Sequence, residues 1–185
     1  MYTRQFLALT FFTLFYATGI SAQVNSSTTI DSSRFNGPVN TIIVQPDGKI
    51  IIGGNFTTYN KLASRCIARL NADGSLDKSF ITGTGFNYEV NVLALQPDGK
   101  VIAGGKFSNY NGAGNSCNRI VRLNSDGRID KSFNISIGFQ GNVMALALQQ
   151  DGKVIVGGML ARFNGIQCGG LVRLNANGSL DQNFV

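Results

Sequence analysis

The 185-residue chain has no His, no Trp and a single Glu, Glu89. Without His, the usual general base, the Ser-His and Cys-His nucleophile pairs and the commonest zinc ligand are all excluded together. One Glu leaves little for paired-carboxylate chemistry, so the expectation is a protein that is not an enzyme and that holds no cofactor. Charge is also scarce, at 14% of residues, and the basic side chains sit singly along the chain instead of forming the stripe that tracks a phosphate backbone. Nucleic acid is therefore not an expected partner. What is plentiful points one way: 43% of residues are apolar, which argues against disorder by composition, and 23 Gly with 13 Phe favour an all-β fold.

Apolar runs long enough to span a membrane are missing too. Arg4 precedes the run from Phe6 to Tyr16, and small residues follow up to Ser21-Ala22-Gln23. That order is a secretory signal peptide, with cleavage expected after Ala22, and its core is about half the ~20 residues a spanning helix needs. The expected location is secreted or cell-surface. Three Cys (Cys66, Cys117, Cys168) is an odd count, and measured back from the repeated Arg described below they do not all occupy equivalent positions. Free thiols and no metal site are expected. Asn25, Asn55, Asn134 and Asn177 head glycosylation sequons, relevant if the source is eukaryotic.

A repeat organises the rest. Residues 39–49 return as 90–100 and 143–153, at spacings of 51 and 53. Each copy continues through paired glycines (Gly53-Gly54, Gly104-Gly105, Gly157-Gly158) to an Arg-Leu-Asn turn unit beginning at Arg69, Arg122 or Arg173, and closes on Phe80, Phe133 or Phe184. Four runs of β-formers per copy, separated by turn residues, predict a four-stranded antiparallel meander, strands a to d. In Gln96-Pro97-Asp98-Gly99-Lys100, Pro presets φ and Gly takes the left-handed position, which predicts a tight a-to-b hairpin with a bulge. The same geometry between strands c and d pairs Asn124 with Arg128, and hence Arg122 with Asp130, Arg69 with Asp77 and Arg173 with Asp181. Counting along strands a and b sets Gly104 opposite Val92. Strand a, apolar on both sides, is expected to lie between neighbouring sheets.

Such units cannot bury both faces alone, and radial stacking of four-stranded sheets gives a β-propeller. The expected architecture is all-β, with three consecutive four-stranded antiparallel blades forming a partial β-propeller: signal peptide 1–22, linker and strand stub 23–38, and blades at 39–89, 90–142 and 143–185. The stub, Ile30 to Phe35, echoes strand d. The Gln-Pro-Asp-Gly-Lys turn, the Gly-Gly pair and the Arg-Leu-Asn-x-Asp-Gly-Ser-Leu-Asp-x-x-Phe unit resemble the delta-60 repeat of exported bacterial proteins. That resemblance implies the fold and export, and it carries over no catalytic residue. The third copy departs at Gln150 and Asn177.

With both tight hairpins on one face, the longer b-to-c and d-to-a loops are expected on the other, and the candidate ligand-binding residues lie there: Tyr59, Asn60, Tyr88, Glu89, Tyr110, Asn111, Phe163 and Asn164. Tyr59, Tyr110 and Phe163 recur at one loop position, so wedging between blades accounts for them as well as ligand stacking does. Lys61 and Arg162, like Tyr88 and Glu89, have no counterpart in the other copies. The Asn71 to Asp77 segment faintly resembles a calcium loop but lacks its alternating acidic ligands and closing Glu. The expected function is a secreted binding or scaffold surface for a glycan or protein partner; the alternative is part of a carboxylate-dependent polysaccharide-cleaving enzyme completed by other blades. Three blades fall below the four that a closed propeller requires, so the chain is expected to be a fragment of a larger propeller or to self-associate head to tail.

Overall fold

The computed structural model describes residues 34–112 and 115–184. The expected signal peptide lies outside them. β1 (Val39–Val44) and β2 (Ile50–Gly54) are followed by the short pair β3 (Thr58–Tyr59) and β4 (Leu62–Ala63), then β5 (Ile67–Leu70). β6 (Val90–Leu95), β7 (Val101–Gly105) and β8 (Ile120–Leu123) repeat the pattern. β9 (Phe139–Gln140) lies before the expected start of the third copy but pairs with β12 inside it; β10 (Val143–Leu148), β11 (Val154–Gly158), β12 (Arg162–Phe163), β13 (Ile166–Gln167) and β14 (Leu171–Leu174) follow. The blades are the antiparallel sheets β1-β2-β5, β6-β7-β8 and β10-β11-β14. Among the described residues no helix is long and apolar enough to cross a membrane.

Turn chemistry sets the register. Gly99 adopts φ +82 and donates its N–H to the Gln96 carbonyl, while Gln96 N–H reaches the Lys100 carbonyl at 2.8 Å. Val92 consequently faces Gly104. In the second hairpin Asn124 N–H donates to the Arg128 carbonyl and Asp130 N–H to the Arg122 carbonyl, the register read from the sequence.

One expectation needs correction. Each blade has three strands, and strand d is reduced to one bridge: Leu70 with Leu76, Leu123 with Ile129, Leu174 with Leu180. The chain turns away at once because the next Asp accepts a local backbone bond, Ser79 N–H to Asp77 Oδ1 and Ser132 N–H to Asp130 Oδ1, both at 2.9 Å. An Asp that satisfies a backbone donor two residues on forms a turn of its own and competes with the ladder. Strand a lies between neighbouring sheets where a blade is described on both sides: β6 packs on β1 and β10 and has no exposed position, whereas β1, in the first blade, alternates half-buried and exposed residues. The deepest burial is in strands b and c, with β2, β5, β7 and β8 buried at every position. In the order a-b-c, strand b has a ladder partner on both sides and strand a is left at the sheet edge.

Blades join through their first strands, β1 on β6 and β6 on β10. The pairing skips one residue in each first strand, between Val39 and Thr41 and between Val90 and Val92. The bulged side chains are thereby aimed outward: Asn40 Nδ2 donates to the Val90 carbonyl at 3.1 Å and Asn91 Nδ2 to the Val143 carbonyl at 2.9 Å. Beside each bond a valine fills the gap left by a glycine. A Cβ on Gly53 would lie 2.6 Å from a Val90 methyl, and one on Gly104 2.4 Å from a Val143 methyl, so only Gly admits the next blade. The apolar clusters therefore run across blade boundaries; one holds Ile51 and Ile67 of blade 1 together with Phe86, Val90 and Leu93 of blade 2.

Residue Phe35 also differs from expectation. It bridges to Tyr59 as Phe86 does to Tyr110, so it echoes the d-to-a loop and not strand d.

Candidate functional site

The recurring charged residues form a clip in each blade. Asp77 Oδ2 accepts from Arg69 Nε at 2.8 Å and from Lys49 Nζ at 2.9 Å; Asp130 accepts from Arg122 and Lys100, and Asp181 from Arg173 and Lys153, at 2.8 and 3.0 Å in both cases. Each guanidinium also lies over the closing Phe, at 4.6 Å for Phe80, 4.7 Å for Phe133 and 4.6 Å for Phe184. Arg69 Nη1 continues to the Ser125 carbonyl of blade 2 and Arg122 Nη1 to the Ala176 carbonyl of blade 3, so each clip also reaches the following blade. Burial pushes the Asp77 and Asp130 carboxyls up, but hydrogen bonds from Ser79 and Lys49, and from Ser132 and Lys100, together with the Arg, outweigh it and hold both well below the usual carboxylate range. The Lys153 hydrogen bond, followed by the Asn183 N–H, brings Asp181 down to about 2. Three carboxylates held ionised in three separate clips stabilise the fold.

The loop aromatics named from sequence are turned inward. Tyr59, Tyr110 and Phe163 are buried against Phe35, Phe86 and Phe139 at centroid distances of 4.5–4.7 Å. Tyr59 and Tyr110 donate their hydroxyls to the Gly74 and Gly127 carbonyls, both at 2.6 Å. Those carbonyls belong to c-to-d turns, so the b-to-c loop folds back along its blade instead of projecting from the open face. The rings pack within their own blade instead of wedging between blades, and their burial leaves no face on which a ligand could stack. Asn60, Asn111 and Asn164 occupy left-handed positions at φ 46, 54 and 50. Asn111 and Asn164 also accept from the Thr84 and Gly138 N–H groups, so they build the corner between loops. Each Tyr-Asn or Phe-Asn pair stays in its own blade, and the six do not form one site.

Two residues missed from sequence organise these corners. Asn36 Oδ1 accepts from the Thr57 and Thr58 N–H groups, and Asn87 Oδ1 from those of Ser108 and Asn109, all at 2.8–2.9 Å. Their signal was present in the repeated Phe-Asn-x-x-Val-Asn of residues 35–40 and 86–91.

Tyr88 and Glu89 behave differently from the other candidates. The Tyr88 ring is 62% exposed, and Glu89 Oε1 pairs with Lys106 Nζ at 2.6 Å. Lys106 N–H also donates to the Glu89 carbonyl, and the same backbone bond joins Asn55 to Pro38 and Met159 to Asn142. A constant backbone junction therefore displays a different set of side chains on each blade: Asn55 beside Gly37, Lys106 beside Tyr88, Met159 beside Gly141. Lys61 is exposed on its folded-back loop, and exposed Arg162 pairs with Gln140, next to the Met159 junction of blade 3.

The thiols of Cys66, Cys117 and Cys168 are free, and burial raises all three, Cys117 to about 12. Among the described residues no group of three or more Cys, Asp or Glu is placed to hold a metal ion.

Three-stranded blades packed one on the next through a repeated clip and glycine slot define a β-propeller repeat protein. The chain belongs to the family described as a domain of unknown function (DUF5122) beta-propeller, which it matches over residues 45–80, 96–133 and 149–184, more than half its length. Each match opens on the Gln of the a-to-b turn and the three end on or beside the Phe that packs under the clip. A crystal structure described as a protein of unknown function from Bacteroides caccae is similar at 15% identity and a TM-score of 0.34, covering 77% of this chain. The chain spans 65% of that structure's length, under two thirds. No curated protein matches it.

Proposed function

We propose that the chain is an exported, non-enzymatic β-propeller module with repeats of the delta-60 type, and that it binds a glycan at the junction around Tyr88. The observation that carries this reading is the contrast between the two sets of polar residues. Asp77, Asp130 and Asp181 are committed to clips that repeat from blade to blade, whereas Tyr88, Glu89 and Lys106 stand exposed or half-exposed on a backbone the other blades share but fill differently. An exposed aromatic face beside a carboxylate and an ammonium offers a sugar ring both a stacking surface and hydrogen-bonding partners.

The test is retention of the purified chain on an array of extracellular polysaccharides, with Tyr88→Ala in parallel. Because Tyr88 is exposed, the variant should melt like the parent and lose retention. No retained glycan, or retention that ignores Tyr88, overturns the reading. Release of reducing ends from a retained polysaccharide would favour the hydrolytic alternative.

A further inference from the structure

The outer faces of the first and last described blades carry opposite halves of the joint that holds the blades together. At the trailing face of blade 3, a Cβ added to Gly157 would meet nothing nearer than the Ala145 Cβ at 3.5 Å, where the same glycine in blades 1 and 2 is filled by Val90 or Val143. Beside it Leu171 is 55% exposed, although its counterparts Ile67 and Ile120 are fully buried by the following blade. The cleft between strand c and the closing turn has a volume of about 270 Å³ in blade 1 and 190 Å³ in blade 2, but 560 Å³ in blade 3. At the leading face of blade 1, Val39 is the valine that corresponds to Val90 and Val143, and it is half-buried where they are fully buried. Ile42 is 50% exposed where its counterpart Leu93 is 6% exposed.

We infer that Val39 and Ile42 of one copy dock into the Gly157 and Leu171 slot of a second copy, so that two chains close head to tail. The joint already exists twice within the chain, at Gly53 with Val90 and at Gly104 with Val143, and the free faces are its unmatched knob and hole. A head-to-tail contact closes into a ring when its rotation permits, and two copies of three blades give six, within the four to eight of closed propellers. Two substitutions set this joint apart. Ala145 stands beside the slot where Thr41 and Val92 stand in blades 1 and 2. Where the Asn40 and Asn91 side chains donate to the next blade, blade 3 has Met144, 54% exposed, whose side chain has no N–H to offer the Val39 carbonyl. The intermolecular joint is thus roomier and lacks that side-chain hydrogen bond.

Light scattering and sedimentation equilibrium on the purified chain should give twice the chain mass. Gly157→Ala meets only ordinary contacts within its own chain, so the subunit should keep its far-UV spectrum while each of the two joints gains a methyl clash, weakening assembly about 100-fold or more. Val39→Ala in the same chain removes the clashing methyl and leaves Cβ atoms near the 3.1 Å seen at Gly53 and Gly104, still a tight approach, so the double variant should recover part of the lost assembly. Met144→Asn should tighten each joint about fivefold. A monomeric parent, an open-ended polymer, or a Gly157→Ala chain that assembles as the parent does overturns the inference. An unfolded Gly157→Ala would refute the account of the empty slot itself.

Discussion

Replacing Asp130 with Ala tests the reading of the clips as structural. The carboxylate accepts from Arg122 Nε at 2.8 Å, Lys100 Nζ at 3.0 Å and both the N–H and hydroxyl of Ser132 at 2.9 and 2.7 Å. Arg122 is 7% exposed, so removing its partner leaves a guanidinium that water cannot reach to compensate. Breaking a buried pair from one side costs about 3–5 kcal/mol, and at about 2–4 °C per kcal/mol for a domain of this size the melting temperature should fall by about 6–20 °C. The third clip is an internal control. Arg173 is 20% exposed, and no following blade is described to receive its second nitrogen, so Asp181→Ala should produce a visibly smaller drop. Adding Arg122→Ala to Asp130→Ala should cost less than the sum of the two, because the stranded charge goes with it. Thermal melts and urea titrations of the single and double variants decide the matter. A drop under 2 °C for Asp130→Ala, or a larger one for Asp181→Ala, would refute the clip argument.

Acid should unfold the chain by the same route. The clip carboxyls titrate lower in the fold than the ~3.9 of an unfolded Asp, so in that window the unfolded state binds more protons; the contribution is complete above about pH 4 and is lost as pH falls through the folded value, about 2 at Asp181 and lower at Asp77 and Asp130. A urea midpoint that stays constant from pH 5 to pH 2 would contradict this. Gly99→Val places a β-branched residue at φ +82 and should cost about 1–2 kcal/mol by urea denaturation, although space there is ample, with Ser125 Cβ at 3.8 Å. In the folded Gly157→Ala chain, a maleimide should modify half-buried Cys168 first, while buried Cys66 and Cys117 wait for unfolding; mass spectrometry of the labelled peptides reports the order, and early loss of Cys117 would contradict its burial.

Features governed by local chemistry were legible from the residues. Pro97-Asp98-Gly99 dictates its own turn, and once Gly99 and Gly127 are placed, counting alone puts Val92 opposite Gly104 and Arg122 opposite Asp130. The direction of a loop side chain was not legible, because a recurring aromatic reads the same whether it faces solvent or a neighbouring strand. Tyr110 is decided by a carbonyl 17 residues away, at Gly127, and by the ring of Phe86, neither of which leaves a periodic mark. The early end of strand d was within reach: Asp77 followed two residues later by Ser79 is a turn signal that the hydrophobic pattern of Leu76 and Phe80 obscured. The Gln that opens each turn remains without a structural reason; the side-chain oxygens of Gln45, Gln96 and Gln149 are shielded and have no hydrogen-bond partner among the described residues.

The three copies also separate what the fold demands from what it leaves open. Before each third strand the backbone is left-handed, at φ 62 for Cys66, 72 for Arg119 and 86 for Gly170, and each carbonyl there accepts from the second glycine of the Gly-Gly pair. Three unrelated side chains occupy one strained conformation, two of them at a cost of about 1–2 kcal/mol relative to Gly. The constraint at that position is therefore a backbone bond, which does not depend on side-chain identity. The exposed junction at Asn55, Lys106 and Met159 follows the same rule, with one repeated backbone bond and three different side chains. Cys66 is enclosed by the core, so its side chain is limited to what packs, whereas Tyr88 meets solvent and Lys106 meets solvent and the Glu89 carboxylate. A side chain that folding leaves unconstrained can vary to suit a ligand without cost to the repeat, which is why the junction, and not the repeated aromatics, is where binding specificity can reside.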